Sequence, residues 1–142
     1  PPGPRTRPTT RRAAAEAVGG LRAIEGAPAL VSLLDAQVPQ LAEAAHHALV
    51  EITWHDFGLQ GWQWTYWIER NSDRPRPEWL MEALLSDQPS LRKGALRDLV
   101  QIARNDFGYR LDAPQNHRQD AVARFRRWWA SGGRARYLAN RR

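Results

Sequence analysis

Residues 39–58 read PQLAEAAHHALVEITWHDFG, and residues 89–108 read PSLRKGALRDLVQIARNDFG. The two stretches share their first proline, a set of apolar positions three or four residues apart, and a closing Asp-Phe-Gly. Apolar residues at this spacing line one face of a helix. Proline suits the first helical turn, because the amide hydrogen that it lacks would have no partner there. The sequence therefore predicts one helical unit built twice, at an offset of 50 residues.

The repeat continues on both sides of these stretches. Before each long helix lies a pair of leucines about one turn apart, which predicts a short helix. The pairs are Leu30 with Leu34 and Leu80 with Leu84. After Asp-Phe-Gly the register slips by eleven residues, which we place in a loop over 109–120, and the aromatic residues match again. These matches are Trp64 with Phe125 and Trp67 with Trp128.

No stretch alternates with a period of two, so we predict an all-α chain. A lone helix pair cannot bury its apolar face, whereas stacked pairs form a right-handed solenoid, here of about seven helices and two and a half units. The long helices are expected near 11–24, 38–53, 88–103 and 116–131, and the short ones near 28–35, 61–70 and 77–85. The predicted core residues are Leu30, Leu34, Leu41, Leu49, Ile52, Phe57, Trp67, Leu80, Leu84, Leu91, Leu99, Ile102, Phe107, Phe125 and Trp128.

The units resemble HEAT-like repeats of the armadillo-type α-solenoids, in particular a bacterial variety that ends each unit with Asp-Phe-Gly followed by a Trp-rich helix. The segments that carry the resemblance are ITWHDFG at 52–58, IARNDFGY at 102–109 and AVARFRRWW at 121–129. The resemblance implies an α-α superhelix that serves as a scaffold for other proteins. A minority of the family binds nucleic acid and a few members are lyases or glycosylases, but no catalytic motif of those few can be placed on this sequence.

The composition narrows the kinds of site that are open to this chain. None of its 142 residues is cysteine, which excludes disulfides, a thiolate zinc site and a cysteine nucleophile. The net charge of +6 is uneven: residues 26–69 have five acidic side chains and no Lys or Arg, whereas residues 70–142 have sixteen basic and eight acidic ones. This asymmetry bears on binding partners. No apolar run approaches the roughly 18 residues that span a bilayer, so no membrane span is predicted.

The ends of the chain differ in composition from its middle. Residues 1–10 are rich in Pro and Arg and are predicted to be a disordered linker. We expect the repeat domain to cover 11–131 and a basic C-terminal tail to cover 132–142. Because the chain does not begin with Met, we also expect it to be a piece of a longer protein.

Seven tryptophans are unusual at this length, and four of them crowd one short stretch together with a tyrosine. On the helix predicted there, positions 64 and 67 share one face and positions 62 and 66 another. One neighbour cannot easily bury both faces, so we expect Trp64 and Trp67 inside. At least one of Trp54, Trp62 and Tyr66 is then exposed, and these three are the candidate partner-binding residues.

Arginines near the C-terminus form a second candidate site. The guanidinium group pairs well with phosphate, and Trp128, Trp129 and Tyr137 are interleaved with the arginines, as is typical of nucleic-acid-binding proteins. The candidate polyanion-binding residues are Arg124, Arg126, Arg127, Arg134 and Arg136. The alternative interpretation is an ordinary polar helix face, since the chain uses Arg in place of Lys almost throughout.

The Asp-Phe-Gly tripeptides and the histidines near residue 50 are predicted to have structural roles rather than catalytic or metal-binding ones. Asp-Phe-Gly is a metal-binding tripeptide in protein kinases, but the other kinase motifs are absent, and its recurrence predicts a turn in which Asp caps, Phe packs and Gly takes a positive φ. His46 and His47, near His55 and Asp56, invite a metal interpretation, but adjacent helical positions point about 100° apart and cannot face one ion. We expect no catalytic residue, no metal and no cofactor.

These observations predict a non-catalytic scaffold module that binds another protein. Nucleic-acid or polyanion binding through the Arg-rich C-terminal helix is the alternative. Salt distinguishes the two, because phosphate-driven binding weakens steeply as salt rises whereas an apolar contact barely changes.

Overall fold

The computed structural model describes residues 24–141. Six helices and no strand make up this range, which confirms the all-α class. They are α1 (Ala27–Leu33), α2 (Pro39–Thr53), α3 (Gly61–Asn71), α4 (Arg76–Ala83), α5 (Pro89–Ala103) and α6 (Gln115–Trp128). The number is six rather than about seven because the helix predicted over 11–24 lies outside the described residues apart from Ile24, as does the linker over 1–10.

Shorter elements lie at both ends of the described range. A 3-10 turn, Ile24–Gly26, precedes α1. After α6 the chain kinks within Trp129–Gly133, where Ser131 and Gly132 depart from helical φ/ψ. A final helical stretch, Arg134–Ala139, follows the kink; we call it the C-terminal segment and treat it as the bent continuation of α6. Much of the predicted basic tail is therefore helical. None of the helices within residues 24–141 is long and apolar enough to cross a membrane.

The chain divides into two compact units between Asp73 and Arg74. Within the described residues, the first unit contains α1 to α3 and the second contains α4 to α6 with the C-terminal segment. In each unit the short helix packs against the long helix and against the helix that follows the turn. The long helices α2 and α5 both have 15 residues and begin with the equivalent prolines. The predicted duplication is therefore present in the folded chain.

The long helices end at residues for which no left-handed backbone was predicted. Gly58 and Gly108 have the predicted positive φ, but neither of them ends a helix. Instead Trp54 (φ 51°) and Arg104 (φ 59°) take the left-handed conformation at the helix ends, and each donates its backbone N–H to the carbonyl four residues earlier. The chain changes direction directly after each long helix. The left-handed residue is therefore the first residue after the helix, and the glycine of the Asp-Phe-Gly turn comes too late to take this position. The glycines lie four residues further on, in the Asp-Phe-Gly turns, with φ 60° and 77°.

The predicted apolar stripes form the core of each unit. Ten predicted core residues are buried: Leu30, Leu34, Leu41, Leu49, Ile52, Leu80, Leu84, Leu91, Leu99 and Phe125. The other five are half-buried: Phe57, Trp67, Ile102, Phe107 and Trp128. Four of these five are aromatic rings at or after the turns. Each ring is large enough to contact the core on one side and solvent on the other.

Candidate functional site

The Asp-Phe-Gly turn of the first unit positions α3. The Oδ1 atom of Asp56 accepts a hydrogen bond from the Gly58 backbone N–H at 2.8 Å. Phe57 packs edge to face against Trp64, with ring centroids 4.9 Å apart, and Trp64 Nε1 donates to the Gly58 carbonyl at 2.9 Å. Trp67 lies 6.5 Å from Phe57, measured between centroids. Trp64 is fully buried and Trp67 half-buried, so the fold explains the aromatic residues on the inner face of α3.

The second unit repeats this arrangement around α6. The same carboxylate-to-glycine hydrogen bond, at 2.8 Å, forms in the turn at 106–108. Phe107 packs against Phe125 and Trp128, with centroids 4.8 Å and 6.2 Å apart. These are the partners that the register slip of eleven residues predicts. A side chain of the following helix again binds a carbonyl of the turn, here Arg124 Nε donating to the Phe107 oxygen at 2.8 Å.

The outer face of α3 presents aromatic rings to solvent. Trp62 is 70% exposed and Tyr66 57% exposed, and residues four apart lie on the same side of a helix. Leu59, two residues before the helix, is 53% exposed. The Arg70 guanidinium lies 4.7 Å from the Tyr66 ring centroid, one turn further along. We call Leu59, Trp62 and Tyr66 the α3 face.

Trp54, the third aromatic candidate, does not belong to this surface. Its side chain is only 9% exposed, so its assignment as a partner-binding residue is corrected. The left-handed backbone that ends α2 directs this side chain inward, and helical periodicity does not encode such a turn. Leu59, by contrast, was missed, because it lies in the turn before α3 and belongs to no periodic stripe.

Comparison of the two units shows which aromatic residues the fold requires. The inner positions are aromatic in both units, as described above. The outer positions differ, because Trp62 and Tyr66 correspond to Ala123 and Arg127. The second unit therefore forms the equivalent helix, on the equivalent turn, with no aromatic residue at either outer position. The fold accounts for the inner rings and leaves the α3 face without a folding role.

Acidic side chains accompany the α3 face. Residues 24–73 contain seven acidic side chains and a single Lys or Arg, which is Arg70. Glu69 is exposed and lies on the same side of α3 as Trp62 and Tyr66, at helical spacing from both. Asp73 is exposed just beyond the helix end. The surface is thus aromatic toward the N-terminal end of α3 and acidic toward its C-terminal end.

Arg124 has a structural role that the sequence analysis did not predict. Its guanidinium is half-buried against the second Asp-Phe-Gly turn, where it donates to the Phe107 carbonyl. A Cβ atom built at Gly108 would lie 3.3 Å from Arg124 Nη2, which shows how closely the side chain covers the turn. Arg124 therefore holds the turn, and its assignment as a polyanion-binding residue stays a prediction.

The remaining arginine candidates are exposed. Arg126 and Arg127 lie on the outer side of α6. Arg134 and Arg136 lie on the C-terminal segment. The Nε atom of Arg134 is 3.9 Å from Oε2 of the half-buried Glu78, whose carboxylate also accepts hydrogen bonds from Arg74 and Trp129. These four side chains are accessible to an anionic partner.

His46 makes a contact that the sequence analysis missed. Its Nε2 atom lies 2.7 Å from Asp56 Oδ1, which links α2 to the Asp-Phe-Gly turn. Partial burial alone would raise the pKa of Asp56. The hydrogen bonds from His46 and from the Gly58 amide, together with the charge of His46, outweigh that effect and hold the pKa below its usual range. The equivalent residue of the second unit is Leu96, which cannot make this contact.

A groove of about 500 Å³ runs along α2 beside this pair. Its lining residues are Gln40, Glu43, Ala44, His46, His47, Val50 and Asp56. Within residues 24–141, no group of three or more His, Asp or Glu side chains is placed to hold a metal ion. His46 is bonded to Asp56, and His47 lies 3.6 Å from Glu51, so the histidines are engaged with carboxylates.

Comparison with protein-family models, curated proteins and solved structures finds no match to this chain.

Proposed function

We propose that this chain is a non-catalytic protein-binding module, and that the α3 face is the surface that holds another protein. The observation that carries the proposal is the exposure of Trp62 and Tyr66 at positions where the second unit has Ala123 and Arg127. Trp and Tyr dominate binding energy at protein interfaces, because they bury a large rigid surface at a small loss of conformational entropy. Exposed aromatic residues without a folding role therefore favour a binding function.

We further infer that the two units are HEAT-like repeats that stack into a short α-solenoid. The support is the order of helices in each unit, the offset of 50 residues and the recurring Asp-Phe-Gly turn with its aromatic partners. Repeats of this kind present extended surfaces to other proteins, which agrees with a scaffold role.

The test is affinity capture from cells of the source organism, with the purified chain and two matched double variants as bait. Trp62→Ala/Tyr66→Ala removes both rings of the α3 face. Ala123→Ser/Arg127→Ala alters the equivalent positions of the second unit and serves as the control. Circular dichroism checks that all three proteins have the same helix content.

We expect a partner that binds the wild type and the control variant but not the α3 variant. Loss of an aromatic anchor removes about 2 kcal/mol or more, so the Kd for that partner should rise at least about 30-fold. Partners that bind all three proteins equally would refute the proposal.

Polyanion binding by the second unit is the second candidate function, favoured by the exposure of Arg126 and Arg127. Residues 74–141 contain fourteen basic and seven acidic side chains. The test is binding to a nucleic-acid duplex across a range of salt, with Arg126→Ala/Arg127→Ala as the variant and Arg124 kept because it holds the turn. Tight binding that falls steeply with salt and is lost in the variant would support this function. An absence of binding at low salt would refute it.

A further inference from the structure

The two units have similar helices but opposite charge. Among the described residues, the first unit has seven acidic side chains against one Arg, and the second has fourteen basic against seven acidic. Because Arg92 and Asp98 are the only charged residues among the buried positions described, this difference lies mainly on the surfaces. Surfaces of opposite charge attract over about a Debye length, which accelerates and orients an encounter between two copies of the chain.

The acidic side of such an encounter is the α3 face with its continuation. Trp62, Tyr66 and Glu69 lie on one side of α3, and Asp73 follows the helix end. Arg70, the basic residue nearby, lies over the Tyr66 ring. A helix that complements this surface needs an apolar side chain opposite the rings of Trp62 and Tyr66. It also needs a basic side chain opposite the carboxylates of Glu69 and Asp73.

The C-terminal segment has this pattern. Leu138 is 39% exposed and is one of two large exposed apolar side chains described in the second unit. Arg134 lies one turn earlier on the same side of the segment and is exposed. At 1.5 Å of rise per residue, the two are separated by about 6 Å along the helix axis, compared with about 4.5 Å between Tyr66 and Glu69. The arginine side chain is long and flexible enough to span the difference between these two spacings.

We propose that the occupant of the α3 face is a second copy of this chain, docked through its C-terminal segment. In an antiparallel arrangement of the two helices, Leu138 of one copy packs on Trp62 and Tyr66 of the other, and Arg134 lies beside Glu69 and Asp73. The copy whose α3 face is occupied keeps an unused C-terminal segment, and the other copy keeps an unused α3 face. The contact is heterologous and continues from copy to copy. This inference rests on the proposed function, since it uses the same face.

The test is sedimentation velocity of the full chain over a wide range of protein concentration, at about 0.05 M and about 0.5 M salt. We expect species larger than the monomer at low salt, growing with concentration, and their dissociation at high salt. Two variants each remove one side of the contact. The face variant is Trp62→Ala/Tyr66→Ala, and the segment variant is Arg134→Glu/Leu138→Ala. Each variant alone should sediment as a monomer, with the Kd for association raised at least about 30-fold.

An equimolar mixture of the two variants provides the decisive measurement. The face variant still has an intact segment, and the segment variant still has an intact face, so the mixture should form a dimer and nothing larger. Non-specific aggregation would not be restored in this way. A wild-type chain that stays monomeric at low salt, or a mixture that stays monomeric while the wild type associates, would overturn the proposal.

The two proposals fail in distinguishable ways. A monomeric chain whose α3 face captures a different protein would refute self-association and leave the proposed function intact. Self-association that is insensitive to Trp62→Ala/Tyr66→Ala would refute the docking model, and the capture experiment would still decide the function of the face.

Discussion

His46 and Asp56 meet at the end of the first unit's long helix, with His46 Nε2 2.7 Å from Asp56 Oδ1. The same carboxylate oxygen accepts the Gly58 N–H. The second unit keeps the turn hydrogen bond but has Leu96 in place of the histidine. The chain therefore contains the Asp-to-Gly hydrogen bond with and without a histidine–carboxylate contact, although Phe107 (φ 52°) has a left-handed backbone that Phe57 lacks.

Asp56→Ala is expected to destabilise the chain more than Asp106→Ala does. The Asp106 change removes the hydrogen bond to Gly108, which contributes about 1 kcal/mol. The Asp56 change also removes a charge-assisted hydrogen bond to His46, so we expect a loss of about 2 kcal/mol. Urea unfolding at neutral pH measures both values. Equal losses would show that the His46 contact does not stabilise the fold.

The same contact predicts a difference in acid sensitivity. The folded state lowers the pKa of Asp56, so the associated stability is present above the carboxyl's unfolded pKa and is lost as pH falls through the folded value. His46→Leu, which copies the second unit, removes much of this dependence. Melting temperatures measured from pH about 7 down to about 2.5 should therefore fall less for His46→Leu than for the wild type. Parallel curves would contradict this assignment.

Tyr109 fastens the loop before α6 to the end of α4. Its buried hydroxyl donates to the Leu84 carbonyl, and burial raises the pKa of Tyr109, although Arg92 and Arg118 partly oppose that effect. Tyr109→Phe should destabilise the chain by about 1–2 kcal/mol, because the carbonyl loses this donor. A raised folded pKa means that the stability is present below the phenol's unfolded pKa and is lost as pH rises through the folded value.

Melting of the wild type and Tyr109→Phe at pH about 8 and at pH above about 10 checks both parts of this prediction. The difference in melting temperature should be largest at the lower pH and should narrow at the higher pH. A constant difference would mean that the Tyr109 hydroxyl has the same pKa in the folded and the unfolded chain.

A buried ion pair distinguishes the second unit from the first. Arg76 Nη2 lies 2.9 Å from Asp98 Oδ2, and both side chains are largely buried, whereas the first unit has Gly26 and Ala48 at these positions. Asp98→Ala removes the carboxylate opposite Arg76 and should destabilise the chain by about 3 kcal/mol. Arg76→Met/Asp98→Ala should be less destabilising, because it removes both charges together. Urea unfolding of the two variants decides this, and a double variant less stable than Asp98→Ala would contradict the argument.

The helices could be predicted because the same spacing of apolar residues occurs twice in the chain, once in each unit. The matched prolines mark the starts of α2 and α5, and the observed starts agree. The slip of eleven residues correctly pairs Trp64 with Phe125, because the same buried position after each Asp-Phe-Gly turn is filled by a large ring. The exposure of Trp62 could also be predicted, because a helix that buries one face against its neighbours exposes the opposite face to solvent.

What could not be predicted depends on backbone turns and on contacts between elements. The role of Arg124 requires a carbonyl of the turn 17 residues earlier to face α6, and periodicity contains no such information. The contact between His46 and Asp56 likewise requires the chain to reverse between them. The start of α6 at Gln115 agrees with the helix predicted near 116–131, so part of the inserted stretch over 109–120 is helical rather than loop.

The left-handed helix ends provide a matched pair of substitutions with opposite expected effects. Trp54 and Arg104 occupy equivalent positions with φ 51° and 59°, a conformation in which a Cβ atom costs roughly 1 kcal/mol and glycine has no such penalty. Arg104 is exposed, so Arg104→Gly should stabilise the chain by about 0.5 kcal/mol after the greater freedom of unfolded glycine is included, and should raise Tm by a few degrees. Trp54 is buried, so Trp54→Gly relieves the same strain but loses an indole and should destabilise by about 3 kcal/mol or more. Thermal and urea unfolding of both variants against the wild type test the pair together. Destabilisation by Arg104→Gly would mean that its side chain contributes more to the folded state than the strain it imposes.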